Sequence, residues 1–286
     1  MLQLKPLNEP IGFAAEATGI DLSRKLSPEE AGQVEAAMDR HAVLVWRGQP
    51  LTEEQQIAFA RNFGPLDLGL KKARKNPDRH ARDEIIDISN VNPEGGVYER
   101  GHAKIVSNLA NQLWHSDSSF QKPSAKYSML HAVVIPQQGG ETEFADLRAA
   151  YDSLSEKSKA ELCSLTAEHF AWHTRLWLGD TVSDAQRELF PPVEWPLVRT
   201  HSGSGRKVLF VGVHCTRIPG MTLAEGRVLL ADLLEHATQR EFVHRHVWRP
   251  GDLVMWDNRA VVHRGRRFDL SARRELRRVT TEETAA

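Results

Sequence analysis

Cysteine is nearly absent, for the chain of 286 residues carries only Cys163 and Cys215. Two thiols close at most one bridge and cannot furnish a cysteine-rich zinc site, so a disulfide scaffold and a structural zinc fold are both excluded. Neither has the neighbours of a nucleophile, and both are expected as reduced thiols of a cytoplasmic protein. Long apolar runs are also missing. No stretch approaches the roughly 18 to 20 apolar residues that span a bilayer, and the opening MLQLKPLNEP has no charged segment followed by an apolar one. Neither a membrane partner nor secretion is expected. Net charge is lacking as well, since 37 Lys and Arg oppose 38 Asp and Glu. A chain without a field of one sign is a poor ligand for a polyanion, so nucleic acid is not an expected partner.

What is present is an ordinary globular composition, with 41% hydrophobic residues to fill a core. Ser27-Pro-Glu-Glu30 and Thr52-Glu-Glu-Gln55 fit capping boxes at helix starts, and the second helix should stop at Gly64-Pro65. Between them His41-Ala-Val-Leu-Val-Trp46 is an apolar run of strand length. Residues 71–82 and 92–111 read as long surface loops, candidate gates to a site. Strand patterns then recur at 126–135, 142–144, 195–200, 208–213, 241–248, 253–257 and 276–281. Helical patterns interrupt them at 147–154, 156–169 and 222–236. Many strands with turns such as Arg249-Pro-Gly-Asp252 predict a mainly β sandwich or barrel with surrounding helices. No repeat and no linker divides the chain, so residues 1–286 are expected to form one domain.

Trp114-His115-Ser116-Asp117 places an imidazole and a carboxylate two residues apart, and in an extended chain side chains i and i+2 share a face. Of the 13 histidines, only His115 begins a His-x-Asp or His-x-Glu triplet. His263, after a strand and next but one to Gly265, is the third candidate ligand. Two histidines and one carboxylate leave three positions of an octahedral Fe(II) open, whereas a closed zinc site wants four protein ligands. His244 and His246 also have strand spacing. They read as ordinary strand residues, because no carboxylate nearby completes a triad.

Past His263 the chain is dense in arginine. If residues 274–278 are extended, Arg274, Leu276 and Arg278 share one face, and two arginines enter the barrel. Each buried guanidinium calls for an anion that it can grip bidentately. Asp117, a dicarboxylate cosubstrate and a monocarboxylate substrate then balance Fe(II), Arg274 and Arg278, and unpaired buried charge is costly.

These residues resemble the taurine dioxygenase-like (TauD/TfdA) family of Fe(II)- and 2-oxoglutarate-dependent dioxygenases, and within it the 2,4-dichlorophenoxyacetate dioxygenases. The matching segments include Gln55-Gln-Ile-Ala-Phe-Ala-Arg-Asn-Phe-Gly-Pro65, Asn111-Gln-Leu-Trp-His-Ser-Asp-Ser-Ser-Phe120, Gly251-Asp-Leu-Val-Met-Trp-Asp-Asn-Arg259 and Gly265 to Arg278. The resemblance implies a double-stranded β-helix, a cupin-like jelly roll, with Fe(II) held by His115, Asp117 and His263. It further implies that 2-oxoglutarate chelates the metal and sends its distal carboxylate to Arg274 and Thr142, with Trp256 beside it. Arg278 is implied to bind the substrate carboxylate, with Lys71 and Asn111 on the same wall. The implied reaction consumes O2 and 2-oxoglutarate, releases succinate and CO2, and hydroxylates the substrate. An aryloxyacetate hydroxylated beside its ether oxygen collapses to a phenol and glyoxylate. Asp117 matters here, since related halogenases lack the carboxylate ligand.

The segments at 70–83, 94–106 and 172–177 depart from the pattern, and those are where a pocket selects its substrate. Another aromatic carboxylate or a sulfonate such as taurine stays open as substrate. So does a cupin-like metalloenzyme without 2-oxoglutarate, which would leave Thr142 and the arginines unemployed, or a carboxylate-binding protein, which would leave His115 and Asp117 unexplained. Expected partners are a small-molecule carboxylate and further copies of the chain, in a dimer or larger homo-oligomer.

Overall fold

The computed structural model describes residues 1–7, 12–73, 79–80 and 82–284. The strands, in chain order, are β1 (Gln3–Pro6), β2 (Ala14–Thr18), β3 (Val43–Trp46), β4 (Leu66–Asp67), β5 (Ile86–Ser89), β6 (Ala125–Val134) and β7 (Thr142–Asp146). Then come β8 (Thr166–His169), β9 (Val193–Pro196), β10 (Val198–Thr200), β11 (Lys207–Leu209) and β12 (Cys215–Arg217). The last are β13 (Val243–His246), β14 (Leu253–Asp257), β15 (Val261–Gly265) and β16 (Glu275–Glu282). The main sheet runs β1-β2-β3-β14-β6-β16-β4, with β5 also on β16, and a second sheet runs β13-β7-β15. Their inner faces pack together as the two walls of a double-stranded β-helix, the expected jelly roll, with helices outside.

Alternation of side chains decides which face each residue serves. On β3, Leu44 and Trp46 join a core under the helices Pro28–His41 and Glu53–Ala60, while Val43 and Val45 point between the sheets. On β14, Leu253 and Met255 take the helix side, and Val254 and Trp256 the inner side. Phe144 of β7 meets that inner layer from the other sheet, its ring centroid 5.5 Å from that of Trp256. A third core forms around the helix Leu223–Ala237 and the outer face of the second sheet.

Both predicted capping boxes are present, with Ser27 Oγ accepting from the Glu30 N–H and Thr52 Oγ1 from that of Gln55. The second helix passes into a 3-10 turn, Arg61–Phe63, and ends at Gly64 as expected. The helix expected over 156–169 is corrected. It stops at Leu162, and Thr166–His169 is β8, paired on both sides with β12 and β9. Backbone pairing on two edges outweighs the local helical pattern there. The segment 92–111 is not loop throughout, since Ala103–Leu109 is a helix capped by the His102 imidazole. The expected loop at 71–82 lies partly outside the described residues; Gly69–Ala73 is a 3-10 turn.

Candidate metal and carboxylate site

His115 lies just ahead of β6 and bridges the strand carrying His263. The His115 N–H donates to the His263 carbonyl at 3.0 Å, and the His263 N–H donates back at 2.8 Å. This reciprocal pair puts two distant histidines side by side, ring centroids 4.2 Å apart. Asp117 follows two residues on. Its oxygens stand 3.9 Å from the Nε2 atoms of His115 and of His263. One donor atom from each of the three residues lies within 4.8 Å of the other two, and all three residues are buried.

The surroundings orient these donors. His115 Nδ1 is 2.7 Å from the Leu113 carbonyl, a bond that only the Nδ1-protonated ring can make, so Nε2 keeps its lone pair toward Asp117. Burial pushes the imidazoles of His115 and His263 down, and a neutral ring is the form that ligates a metal. For Asp117, burial alone would raise the carboxyl, but Arg278 and the two histidines outweigh it and bring it down to about 2. A closed ring of side chains holds this carboxylate. Ser128 Oγ donates to Asp117 Oδ2 at 2.7 Å, Asn258 Nδ2 donates to Ser128 Oγ, and Asn258 Oδ1 accepts from both the Asp117 N–H and Trp256 Nε1. Two nitrogens and one carboxylate with nothing soft among them suit Fe(II) and leave room for exogenous ligands.

Two compartments meet at this triad. The first is lined by His115, Asn111, Thr142, Trp256, His263, Arg274 and Arg278. Arg274 is buried there. Its Nη2 donates to the Gly140 carbonyl at 3.0 Å, its Nε has no partner, and burial without an offsetting carboxylate pushes it down to about 10. Gly140, at φ +73°, is required by this approach, because a Cβ would stand 3.0 Å from Arg274 Nε. The Thr142 hydroxyl lies on the same wall and accepts from Trp248 Nε1. The second compartment is lined by Lys71, Asn111, Phe120, Thr174, Arg175 and His214 besides His115, Asp117 and Arg278.

The structure thus gathers all nine residues singled out in the sequence around one centre, in unequal ways. Arg278 donates through Nη1 to Asp117 Oδ1 while its Nε stays buried without a partner. Lys71 lines the second compartment, but its ammonium donates to the carbonyls of Arg82 and Ile85 and lies 3.5 Å from Asp83. Trp256 lines the first compartment and packs its ring 4.6 Å from that of His263. The sequence reading missed His214, edge-on to His115 at 6.2 Å and to Phe120 at 5.0 Å, and driven down to about 3 by burial. It also missed Ser128 and Asn258, whose residue types carry no metal signal.

Two further histidine groups resolve as structural. His246 Nε2 lies 3.1 Å from Asp252, a carboxylate overlooked in the sequence, but Arg47 binds that same carboxylate, and His244 packs edge-on to Phe13. Asp39, His201 and Asp257 also cluster. There Arg259 forks onto Asp257 at 2.9 and 2.6 Å, and His201 has both nitrogens engaged, so Asp257 is already paired and His201 offers no free lone pair to a metal. Loss of a residue orienting a ligand typically weakens a metal site about 10- to 100-fold. Ser128→Ala should therefore weaken Mn(II) binding by at least about tenfold, measured by electron paramagnetic resonance titration on the folded variant.

Comparison with known proteins agrees with this geometry. Residues 3–280 match the family model described as taurine catabolism dioxygenase TauD, TfdA family. The chain is 60% identical over 274 residues to the alpha-ketoglutarate-dependent 2,4-dichlorophenoxyacetate dioxygenase of Cupriavidus pinatubonensis, covering 96% of each chain. It is 37% identical to an (S)-phenoxypropionate/alpha-ketoglutarate-dioxygenase of Sphingobium herbicidovorans, over 92% of this chain and 89% of the other. Among solved structures it superposes on AAD-2 in complex with Mn(II) and N-oxalylglycine with a TM-score of 0.91, at 44% identity, covering 99% of this chain and 98% of that one. A family match across nearly the whole length, together with 60% identity to a curated member, means that this chain belongs to the TauD/TfdA family of Fe(II)- and 2-oxoglutarate-dependent dioxygenases.

Proposed function

We propose that the protein hydroxylates an aryloxyalkanoate such as 2,4-dichlorophenoxyacetate beside its ether oxygen, so that the product falls apart to a phenol and glyoxylate. This would be a step in the breakdown of an aromatic acid of the phenoxy herbicide type. The observation that carries the reading is the pair of arginines beside the triad, Arg274 buried at the entry to β16 and Arg278 half-buried within it. Arg274 has no carboxylate to offset it, and Arg278 has a fork only partly used by Asp117.

In this reading His115, Asp117 and His263 hold the iron. Arg274 and Thr142 receive the distal carboxylate of 2-oxoglutarate, with Trp256 behind His263 keeping that imidazole in place. Arg278 receives the substrate carboxylate in the second compartment, and Lys71 and Asn111 form its wall with His214 and Phe120. The chemistry supplied by bound Fe(II), 2-oxoglutarate and O2 is oxidative decarboxylation to succinate and CO2 coupled to hydroxylation of a C–H bond. The chain's own contribution is orientation: a carboxylate anchored at Arg278 beside Asp117 brings the carbon next to it toward the metal, while Phe120 and the apolar wall of Ile86 and Ile88 accept the ring. A metalloenzyme without 2-oxoglutarate leaves Arg274 unbalanced.

A dimer or larger homo-oligomer is part of the same proposal; light scattering tests it. A cytoplasmic location is kept with it. Among the described residues no helix is long and apolar enough to cross a membrane.

Anaerobic addition of Fe(II) and 2-oxoglutarate should produce a visible charge-transfer band that shifts on adding 2,4-dichlorophenoxyacetate. Failure of the band to form in folded protein sinks the cosubstrate assignment. A succinate-release screen over aryloxyacetates, 2-aryloxypropionates, cinnamates, indole acetate and taurine should show the highest kcat/KM for an aryloxyacetate, with phenol released; a preference for taurine overturns the substrate. Arg278→Ala should raise the KM for the aryloxyacetate by at least about tenfold while largely sparing substrate-independent succinate formation. Equal loss of both would assign Arg278 to the cosubstrate or to the fold.

A further inference from the structure

Behind Thr142 stands an indole that lines neither compartment. Trp248, two residues past the end of β13, is buried, and its Nε1 donates to Thr142 Oγ1 at 3.0 Å. The strand register prepares this contact, because His246 of β13 pairs with Thr142 of β7 and so brings Trp248 within diagonal reach of the Thr142 side chain. The indole is itself held. It belongs to the inner core with Phe144 and Trp256, and the His246 ring stands perpendicular to it with centroids 4.5 Å apart. His246 Nε2 is fixed in turn by Asp252, to which Arg47 also donates. The pair His244 and His246, which takes no part in the triad, thus supplies one side of the indole's seat.

An indole N–H donates and never accepts, so Thr142 Oγ1 meets Trp248 with a lone pair. The Thr142 proton is not used in that contact, and among the described residues the hydroxyl makes no other hydrogen bond. Thr142 shares the first compartment with Arg274, whose Nε is likewise buried without an acceptor. Two donors on the wall of one compartment with no protein acceptor call for a group that only accepts, and an ionised carboxylate is such a group.

We propose that Trp248 is a positioning residue for the cosubstrate: its N–H occupies a lone pair of Thr142 and so commits that hydroxyl to donate into the first compartment, toward the distal carboxylate of 2-oxoglutarate. The inference rests on the cosubstrate placement proposed above. Without the N–H the hydroxyl is free to turn about its C–O bond, and the carboxylate keeps Arg274 but loses a hydrogen bond held ready for it. The effect falls on cosubstrate affinity, whereas the substrate carboxylate at Arg278 is spared.

Anaerobic titration of the Fe(II)-loaded full chain with 2-oxoglutarate, read from the charge-transfer band, tests it through a double-mutant cycle. Trp248→Phe should raise the dissociation constant about fivefold and Thr142→Val about tenfold. The double variant should match Thr142→Val within about twofold, because the indole then has no hydroxyl to orient. Under turnover, Trp248→Phe should raise the KM for 2-oxoglutarate by the same factor and leave the KM for the aryloxyacetate within about twofold. Unchanged affinity in Trp248→Phe overturns the positioning role, as do losses that multiply in the double variant, the pattern of an indole that only supports the fold. If Trp248→Phe does not fold, 3-benzothienylalanine at position 248 keeps the bicyclic shape without the N–H: a fivefold loss upholds the proposal and wild-type affinity refutes it. If no band forms in the wild type, or Thr142→Val binds 2-oxoglutarate as tightly as the wild type, the cosubstrate placement fails and the proposal with it. A loss in Thr142→Val without one in Trp248→Phe refutes the role of the indole alone.

Discussion

Arg274 sits between the two sheets with one nitrogen on the Gly140 carbonyl, another without any partner, and no carboxylate to offset its charge. A guanidinium in such a place is tolerable only if an anion joins it, and the rest of the site is arranged around that requirement. Gly139 and Gly140 take left-handed backbone so that β7 can approach, and Thr142 then enters the same wall. Four residues further along β16 the same face presents Arg278, whose Nη1 meets Asp117. One stretch of chain thereby supplies two cations beside the metal position, with Arg278 lining both compartments.

The triad depends on a different constraint, the reciprocal backbone bridge between His115 and His263. It brings together residues almost 150 positions apart in the chain and fixes their spacing through the backbone. Ser128, Asn258 and Trp256 then lock the Asp117 carboxylate in one orientation. Backbone and side-chain bonds set the donor positions, and support of that kind favours affinity for the metal and constancy of the open positions.

Much of this was legible in the residues. The spacing of His115 and Asp117, the alternation of Arg274, Leu276 and Arg278, and the capping boxes at Ser27 and Thr52 are local patterns, and local geometry makes them readable. The error at 156–169 and the oversight of Asp252 share a cause: a strand exists when a partner edge is present, and a carboxylate matters when folding brings it near. His214, Ser128 and Asn258 escaped for the same reason, since ordinary residue types acquire a role only through their neighbours.

By itself, then, the sequence determined the ligand types, the strand face that carries the arginines and the family to which the chain belongs, because period-two alternation and short motifs survive without tertiary information. Only the tertiary structure decided that Arg278 leans on Asp117, that the Lys71 ammonium turns to the carbonyls of Arg82 and Ile85, and that the Trp248 indole reaches the Thr142 hydroxyl. Those contacts join elements far apart in the chain, and burial and charge compensation between them are properties of the packed molecule.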